Sequence, residues 1–309
     1  MTITATHEAL AAAAALRTAA RLGVADRLRT TPMDARGLAG ECGLSERGSR
    51  TLLAALVALD LAEPTAAGRF RATPGAELLT HAVALYDGLG DAVRTGQPAL
   101  AWTSGRVAGE MYPRVVPMLA ELFGPAAERA ADILAGSAEH VLDVAAGAAP
   151  WSLAITARDP EATVTAVDVP EVITETRRAV TERGLEDRYR FVAGDAFTSD
   201  LGGPYHLAVV GNFCHLFGWT ANLKLLRRLR EVLVPGGRVA IIDVMPSAVD
   251  DPSPQLALYE LSLLLRTTDG AAHPFSAYVD WLTQCGYRGI QRVDLDHATP
   301  MALVLATLD

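Results

Sequence analysis

The sequence predicts an α/β protein in which a doubly wound, mostly parallel sheet follows a smaller helical domain. Two observations carry this prediction. Beyond Glu139, short apolar runs alternate with segments of helical period, which is typical of parallel strands covered by helices. Before residue 80, apolar residues recur mainly at helical spacing. The chain has 309 residues, half of them apolar, and is therefore long enough for two cores.

Residues 1–84 are predicted to form three helices and a short hairpin, which together make a winged helix. Apolar residues follow helical spacing around Leu38 and again from Leu52, and Ser45 stands where a helix N-cap is expected. Gly68–Thr73 has the composition of a hairpin return. Arginines and acidic residues are about equally numerous here and lysine is absent. A DNA-binding module needs a basic face, so DNA binding is the weaker interpretation.

Residues 85–137 are predicted to be a helical connector, and 138–309 a sheet domain. Two strand-like runs near the end, 287–295 and 301–308, are joined by Asp296–Pro300 with no helix between them. They predict a terminal antiparallel hairpin and a sheet of seven strands. The other five predicted strands are 140–146, 163–168, 189–193, 206–212 and 237–244.

The bulk properties favour a cytoplasmic enzyme that acts on small molecules. The net charge of −9 argues against a nucleic-acid partner. No window is apolar for long enough to predict a membrane span, and the N-terminal region lacks the basic-then-apolar order of a signal peptide. The three cysteines show no C-x-x-C spacing. We therefore expect neither a disulfide framework nor a metal site.

The most informative motif is Val141–Ser152, VLDVAAGAAPWS, an apolar strand that breaks into a small-residue turn and then opens a helix. Gly147 permits positive φ and close approach of a ligand to the backbone, and Pro150 suits a first helical position. Val164–Asp168 follows as a second strand that ends in a carboxylate. This arrangement predicts a nucleotide-type cofactor whose ribose is held by the acid.

An NAD site is the main alternative for these two features. It needs G-x-G-x-x-G, whereas Ala145, Gly147 and Pro150 occupy those places here. It also gives no role to Asp195, which follows the next predicted strand. The sequence therefore favours another cofactor.

Two further runs complete the pattern, Val192–Phe197 (VAGDAF) and Leu233–Asp243 (LVPGGRVAIID). With them the chain resembles S-adenosylmethionine-dependent methyltransferases. With the N-terminal winged helix added, it is similar to the small-molecule O-methyltransferases typified by plant caffeate and bacterial polyketide enzymes. The resemblance implies S-adenosylmethionine as cofactor, a small-molecule acceptor and a homodimer formed through the N-terminal domain.

The resemblance also implies which residues hold the cofactor. The turn after the first strand would approach its methionyl part, Asp168 would accept hydrogen bonds from the ribose hydroxyls, and Asp195 would bind the adenine amino group. Members of the family usually show more glycines in this turn, where the chain keeps only Gly147. The expected cofactor residues are Asp143, Ala145, Gly147, Asp168, Val169, Asp195, Ala196, Phe197 and Asn212.

The same resemblance implies His215 as the base that deprotonates the acceptor, because imidazole as a class is both uncharged and basic near neutral pH. Asp243 matches an acid that orients this histidine. Where the family has a second orienting acid, the spacing places His273 in this chain. His273 would bind substrate, share the proton transfer or lie in a loop. Alternatives left open are carbon or nitrogen methylation, a reaction other than methylation, and a ligand-sensing winged-helix regulator.

The acceptor pocket is expected to be apolar and aromatic, because the residues after His215 are Leu216–Trp219, LFGW. Arg266 follows an apolar helical run and would either anchor an acidic group of the substrate or stabilise the end of the helix. Other residues are expected either in the pocket or in ordinary core, namely Met111, Tyr112, Tyr259, Leu263 and Phe275.

Overall fold

The computed structural model describes residues 2–103, 105–134, 136, 139–246, 253–295 and 300–309. The predicted loop at 296–299 lies outside the described residues. The helices are α1 (Ile3–Arg21), α2 (Val24–Thr30), α3 (Ala35–Cys42), α4 (Glu46–Ala58), α5 (Pro74–Asp87), α6 (Leu89–Thr95), α7 (Gly105–Leu134), α8 (Pro150–Arg158), α9 (Pro170–Thr181), α10 (Trp219–Val232), α11 (Pro254–Arg266) and α12 (Phe275–Gln284). The strands are β1 (Ala62–Pro64), β2 (Phe70–Ala72), β3 (His140–Val144), β4 (Thr163–Asp168), β5 (Tyr189–Ala193), β6 (Tyr205–Gly211), β7 (Leu233–Val244), β8 (Tyr287–Asp294) and β9 (Met301–Leu308).

The chain divides into two compact units, Met1–Asp91 and Ala92–Asp309. In the first, the hairpin of β1 and β2 follows α1–α4. The predicted N-cap is confirmed, since Ser45 Oγ accepts the Gly48 N–H at 3.0 Å at the start of α4. Four helices precede the hairpin, so the prediction of three is wrong. The additional helix, α2, has only seven residues, which is too short for an apolar period to be recognised.

The core of the first unit is formed by the inward faces of its helices. Leu28, Leu38, Leu53 and Leu56 are all nearly inaccessible to solvent and belong to one apolar cluster. They come from α2, α3 and α4, so the apolar faces of these helices meet in one core.

The second unit contains the predicted seven-stranded sheet. Its strand order is β5-β4-β3-β6-β7-β9-β8, in which β5, β4, β3, β6 and β7 run parallel and β9 is antiparallel to both β7 and β8. The doubly wound sheet with a terminal antiparallel hairpin is therefore confirmed. The chain order reverses between β3 and β6, and ligands of open α/β sheets bind at such a switch point, beyond the carboxyl ends of the strands.

Apolar clusters cover both faces of this sheet. Leu207 and Val209 of β6 point into one cluster, whereas Ala208 and Val210 point into the other, as alternation along a strand requires. All four are fully buried, which explains the uninterrupted apolar run at this position of the sequence. Among the described residues, no helix combines the length and the hydropathy that a membrane span needs.

Candidate active site

The loop between β3 and α8 turns through three left-handed residues. Ala145, Gly147 and Ala149 have φ of 54°, 57° and 56°. A Cβ at Gly147 would make an ordinary van der Waals contact, 3.4 Å from Cγ1 of Val116, so it is the left-handed dihedral that favours glycine there. Pro150 begins α8, where a missing N–H costs little. The loop thus keeps the backbone course typical of glycines, although alanine occupies two of its three left-handed positions.

Asp168, the last residue of β4, is tied directly to this loop. Its Oδ2 accepts the Gly147 N–H and its Oδ1 accepts the Val169 N–H, both at 2.8 Å. Burial raises the pKa of Asp168 to about 6, an effect that the two backbone N–H groups oppose. The carboxylate is therefore mostly ionised at neutral pH, and it retains lone pairs beyond those two bonds to receive hydroxyl donors.

Asp143, predicted to hold the cofactor, lies behind the loop instead of in the cavity wall. It is fully buried, and Ser152 Oγ donates to its Oδ2 at 2.5 Å. Tyr189 in turn donates its hydroxyl to Ser152 Oγ at 3.2 Å. Burial raises the pKa of Asp143 to about 7. This network joins β3, α8 and β5, so the contacts of Asp143 support the loop from beneath.

Asp195, Ala196 and Phe197 follow β5 and form another part of the cavity wall. The Asp195 carboxylate accepts the Phe197 N–H at 2.6 Å, which fixes the turn. The ring of Phe197 packs against Phe213 and Phe217, with centroids 5.8 and 4.9 Å away. This end of the cavity therefore combines a carboxylate with apolar ring surface, the two features that an adenine base requires.

His215 and Asp243 are brought into direct contact. Nδ1 of His215 lies 2.5 Å from Oδ1 of Asp243, and the backbone N–H of His215 donates to Oδ2 at 2.9 Å. The carboxylate also accepts the Val244 N–H at 3.0 Å and the Tyr278 hydroxyl at 3.4 Å. Both side chains are buried, Asp243 completely. With Nδ1–H given to the carboxylate, Nε2 is the nitrogen that is left to accept a proton.

The segment Asn212–Phe217, which carries His215, is fixed at both ends. Asn212 adopts a left-handed conformation with φ of 52°, and its N–H donates to the Ile242 carbonyl at 2.8 Å. From α10, Asn222 Nδ2 donates to the carbonyls of Cys214 and Phe217 at 3.0 and 2.9 Å. The short turn after β6 is therefore held by hydrogen bonds that its backbone groups make with β7 and with the Asn222 side chain.

His273 contacts the same segment but not the His215 ring. Its Nε2 lies 2.8 Å from the Phe217 carbonyl, to which it donates, and its ring packs edge-on against Trp281 at 4.9 Å. Two residues earlier, the Ala271 N–H donates to the His215 carbonyl at 3.0 Å. In the described part of the chain His273 therefore holds the segment through its backbone, and no contact there joins it to the His215 side chain.

One cavity at the carboxyl ends of β3, β4 and β6 collects nearly all the predicted cofactor residues. Apart from Asp143, each of them lines it, Asn212 and Val169 included. Sequence reasoning missed Trp151 and Phe123, whose rings stack at 6.0 Å and also line the cavity. Trp151 lies within the loop motif itself, whereas nothing in the sequence marks Phe123 among the apolar residues of α7.

An aromatic cluster with one cation lies next to these elements. Trp102 and Tyr112 line the cavity and meet edge-on at 5.7 Å. The Arg266 guanidinium carbon lies 5.7 Å from the Trp102 ring centroid and 5.5 Å from that of Tyr259. Tyr259 in turn packs edge-on against His215 at 5.5 Å. Tyr112 and Arg266, each of which the sequence left with two alternative roles, therefore belong to one cluster.

Comparison with known proteins identifies what this arrangement belongs to. The O-methyltransferase domain family matches residues 120–288, and the O-methyltransferase dimerisation domain matches residues 6–82. The tetracenomycin polyketide synthesis 8-O-methyltransferase TcmO of Streptomyces glaucescens is 25% identical over 314 residues, covering 94% of this chain and 91% of that protein.

Solved structures agree on the fold. Human N-acetylserotonin methyltransferase in complex with S-adenosylmethionine superposes with a TM-score of 0.73 at 22% identity, covering 99% of this chain and 95% of that one. The O-methyltransferase NcsB1 from neocarzinostatin biosynthesis, in complex with S-adenosylmethionine and 2-hydroxy-5-methyl naphthoic acid, superposes with a TM-score of 0.66 at 20% identity, covering 96% of each chain. Because the family match spans more than half of the sequence, the chain belongs to the O-methyltransferase family and is an S-adenosylmethionine-dependent methyltransferase.

Proposed function

We propose that this enzyme methylates a hydroxyl group of an aromatic or polyketide-like small molecule, with His215 as the general base. The observation that carries the proposal is the contact of His215 with Asp243. An imidazole with one nitrogen held by a buried carboxylate is oriented for proton transfer at the other. It lies on a segment whose neighbouring residues, Asn212, Phe213 and Leu216, line the cavity.

The residues present fit the cofactor. Asp168 has free lone pairs for two ribose hydroxyls, and the carboxylate and rings around Phe197 suit adenine. The left-handed loop lines the cavity through Ala145, Gly147 and Ala148, where its backbone would approach the methionyl part. When bound, S-adenosylmethionine supplies an electrophilic methyl group on a sulfonium. The task left to the protein is to hold the acceptor oxygen nearby and to remove its proton.

Asp243 makes His215 suitable for that second task. Because Nδ1–H donates to the carboxylate, the neutral tautomer places the lone pair on Nε2. The acceptor hydroxyl would give its proton to Nε2, and the carboxylate would stabilise the imidazolium that results. Asp243 is fully buried and accepts from several donors, so its position is fixed before the acceptor binds. In this proposal, His273 positions the segment that carries His215 by donating a hydrogen bond to the Phe217 carbonyl.

The lining of the cavity supports an aromatic acceptor. Trp102, Tyr112, Phe213 and Phe217 present ring surface on which a planar molecule can pack. Two of the similar proteins named above fit this class, since TcmO acts in tetracenomycin polyketide synthesis and the structure of NcsB1 holds a naphthoic acid. A hydroxyl on a fused aromatic or polyketide skeleton is therefore the acceptor that we propose.

The homodimer is proposed to form through the first unit. Its support is the match of residues 6–82 to the dimerisation domain and the exposed apolar side chains of α1, among them Ile3 and Leu10. Light scattering after size exclusion should give twice the chain mass, and Leu10→Asp should lower it. A monomer at micromolar concentration would contradict the proposal.

The base is tested with His215→Ala. A panel of hydroxylated aromatic compounds and S-adenosylmethionine would be incubated with each protein, and products that have gained one methyl group would be measured by mass spectrometry. We expect turnover to fall about 10²–10⁴-fold, because that is the usual contribution of a positioned base. Binding of S-adenosylhomocysteine, measured by calorimetry, should stay unchanged.

A matched control is His206→Ala, because His206 lies near the start of β6, at the end of the strand opposite to the turn that carries His215, and should leave turnover intact. Near wild-type turnover in His215→Ala would overturn the base assignment. Binding without any methylated product would favour a reaction other than methylation. NMR of the product would show whether the new methyl group is on oxygen, carbon or nitrogen.

A further inference from the structure

We propose that Arg266 binds a carboxylate of the acceptor, so that the enzyme acts on hydroxylated aromatic acids; this inference rests on the proposed function. The guanidinium is half-buried at the end of α11, between the rings of Trp102 and Tyr259. Within the described residues, no carboxylate forms an ion pair with it. The faces of the two rings offset only part of the free-energy cost of removing this charge from water. A bound anion would offset the rest.

Three polar atoms in this cluster have no hydrogen-bond partner among the described residues, although all are buried. They are Nε of Arg266, Nε1 of Trp102 and the hydroxyl oxygen of Tyr112. The first two groups can only donate, and the third is able to donate. A carboxylate offers acceptors alone and would satisfy them, whereas an ammonium group would not. The chemistry of the cluster therefore selects an anion.

The simpler role for Arg266, capping the carbonyls of its own helix, has little support. The last turn of α11 already has other donors. Thr267 donates its N–H and its hydroxyl to the Leu263 carbonyl, at 2.8 and 2.7 Å. The N–H groups of Leu100 and Trp102 donate to the carbonyls of Leu265 and Arg266, at 3.1 and 2.8 Å. The guanidinium is thus not needed by these three carbonyls, and the same bonds hold Trp102 beside it.

The position of Arg266 relative to the proposed base fits an acceptor with one or two rings. Tyr259 and Arg266 are seven residues apart on α11 and so lie on one face of the helix. Tyr259 is 5.5 Å from both the guanidinium carbon and the His215 ring. The guanidinium carbon therefore lies at most twice 5.5 Å from the centre of the His215 ring. An aromatic hydroxy acid spans this interval, with its carboxylate at Arg266 and its hydroxyl at His215.

The methionyl carboxylate of the cofactor is the other source of the same chemistry, and the experiment separates the two. Calorimetry first measures S-adenosylhomocysteine with wild type and Arg266→Gln. We expect equal affinity, which also shows that the variant is folded. A large loss in the variant would assign Arg266 to the cofactor and overturn the proposal. If S-adenosylhomocysteine fails to bind the wild type, the proposed function itself fails, which is a distinguishable result.

The second step uses 2-naphthoate and its neutral analogue 2-naphthamide, each titrated into the complex with S-adenosylhomocysteine. Wild type should prefer the acid by about tenfold to a hundredfold, the usual effect of a charge-assisted hydrogen bond. Arg266→Gln should abolish this preference, Arg266→Lys should keep part of it, and Tyr112→Phe should reduce it. The surface variant Arg178→Gln should retain it fully, because Arg178 forms ion pairs with Glu175 and Glu182 at the end of its own helix. Equal or undetectable binding of both probes to wild type, or a preference that survives Arg266→Gln, would overturn the proposal.

Discussion

Asp243 holds His215 through two different atoms, the ring Nδ1 and the backbone N–H, one on each carboxylate oxygen. His215 lies in the turn after β6, and Asp243 lies near the end of the adjacent parallel strand β7; the pairing of these strands brings Gly211 opposite Ile242. Because a single buried carboxylate sets both the position of the backbone and the orientation of the ring, its chemistry decides the tautomer of the proposed base.

Asp243→Asn is expected to lower turnover about 10²–10⁴-fold while S-adenosylhomocysteine binds as before. An amide that donates its N–H to Nδ1 leaves the proton on Nε2, and the imidazole then cannot accept one from the acceptor. Steady-state kinetics and calorimetry would measure the two effects. The control is Asp280→Asn, an exposed residue of α12, which should leave both unchanged. Wild-type turnover in Asp243→Asn would contradict this role of the carboxylate.

Asp143 is expected to make the protein less stable as the pH rises from about 4 to 7. Burial raises its pKa from 3.8 to about 7, so the folded state holds a proton that the unfolded chain releases near pH 4. The contribution of this bound proton to the free energy of unfolding is complete below pH 4 and is lost by about pH 7. Asp143→Asn stays neutral throughout, so the free energy of unfolding of wild type should fall relative to the variant by up to roughly 4 kcal/mol over this interval.

Urea unfolding followed by tryptophan fluorescence, repeated between pH 4 and 8, would measure that difference. Asp168, whose pKa is raised to about 6 by burial, contributes a slope of the same sign in both proteins and largely cancels. The cancellation is incomplete only because Asp168 also contributes to the raised pKa of Asp143. Profiles that run parallel at every pH would contradict a protonated Asp143.

Gly211→Ala is expected to cost about 1–3 kcal/mol of stability and to weaken binding of S-adenosylhomocysteine. A Cβ there would overlap the indole of Trp151, which stacks on Phe123 and cannot retreat freely. Both Gly211 and Trp151 line the cavity, so the displacement should reach the cofactor. The control is Gly40→Ala in α3, where no atom of the described residues outside the helix backbone lies within 4 Å of the added Cβ. It should gain about 0.5–1 kcal/mol and leave binding unchanged. A stable Gly211→Ala that binds normally would show that the indole moves without cost.

The sequence was sufficient where a signal is local. Strand ends carry Asp168, Asp195 and Asp243, and parallel pairing alone brings such residues to one edge of the sheet. The contact of Trp102 with Arg266 could not be predicted, because the two are far apart in the chain and neither belongs to a motif. Asp143 stands in the motif as plainly as Asp168 does. Only the three-dimensional position shows that it turns towards Ser152 and away from the cavity.

His273 illustrates the limit of spacing. Spacing along the chain places His273 where the family has an orienting acid, but spacing does not show which atom the side chain contacts. The structure pairs its Nε2 with a backbone carbonyl, that of Phe217. A carboxylate could not replace the imidazole in this contact, since it has no proton to donate. The substitution of an acid by histidine therefore accompanies a different contact, one with the backbone of the segment.

The alanine-rich loop yields the last prediction. Ala145 has φ of 54°, a conformation that costs an L-residue about 1–2 kcal/mol and glycine nearly nothing. Glycine adds about 0.4–1 kcal/mol of unfolded-state entropy, so Ala145→Gly should stabilise the protein by up to about 1 kcal/mol. Ala148→Gly is the matched control, because Ala148 is buried in the same loop and does not have positive φ. It should destabilise by about 0.5–1 kcal/mol. Chemical denaturation would compare the two, and equal destabilisation by both would mean that the left-handed turn at Ala145 carries no strain.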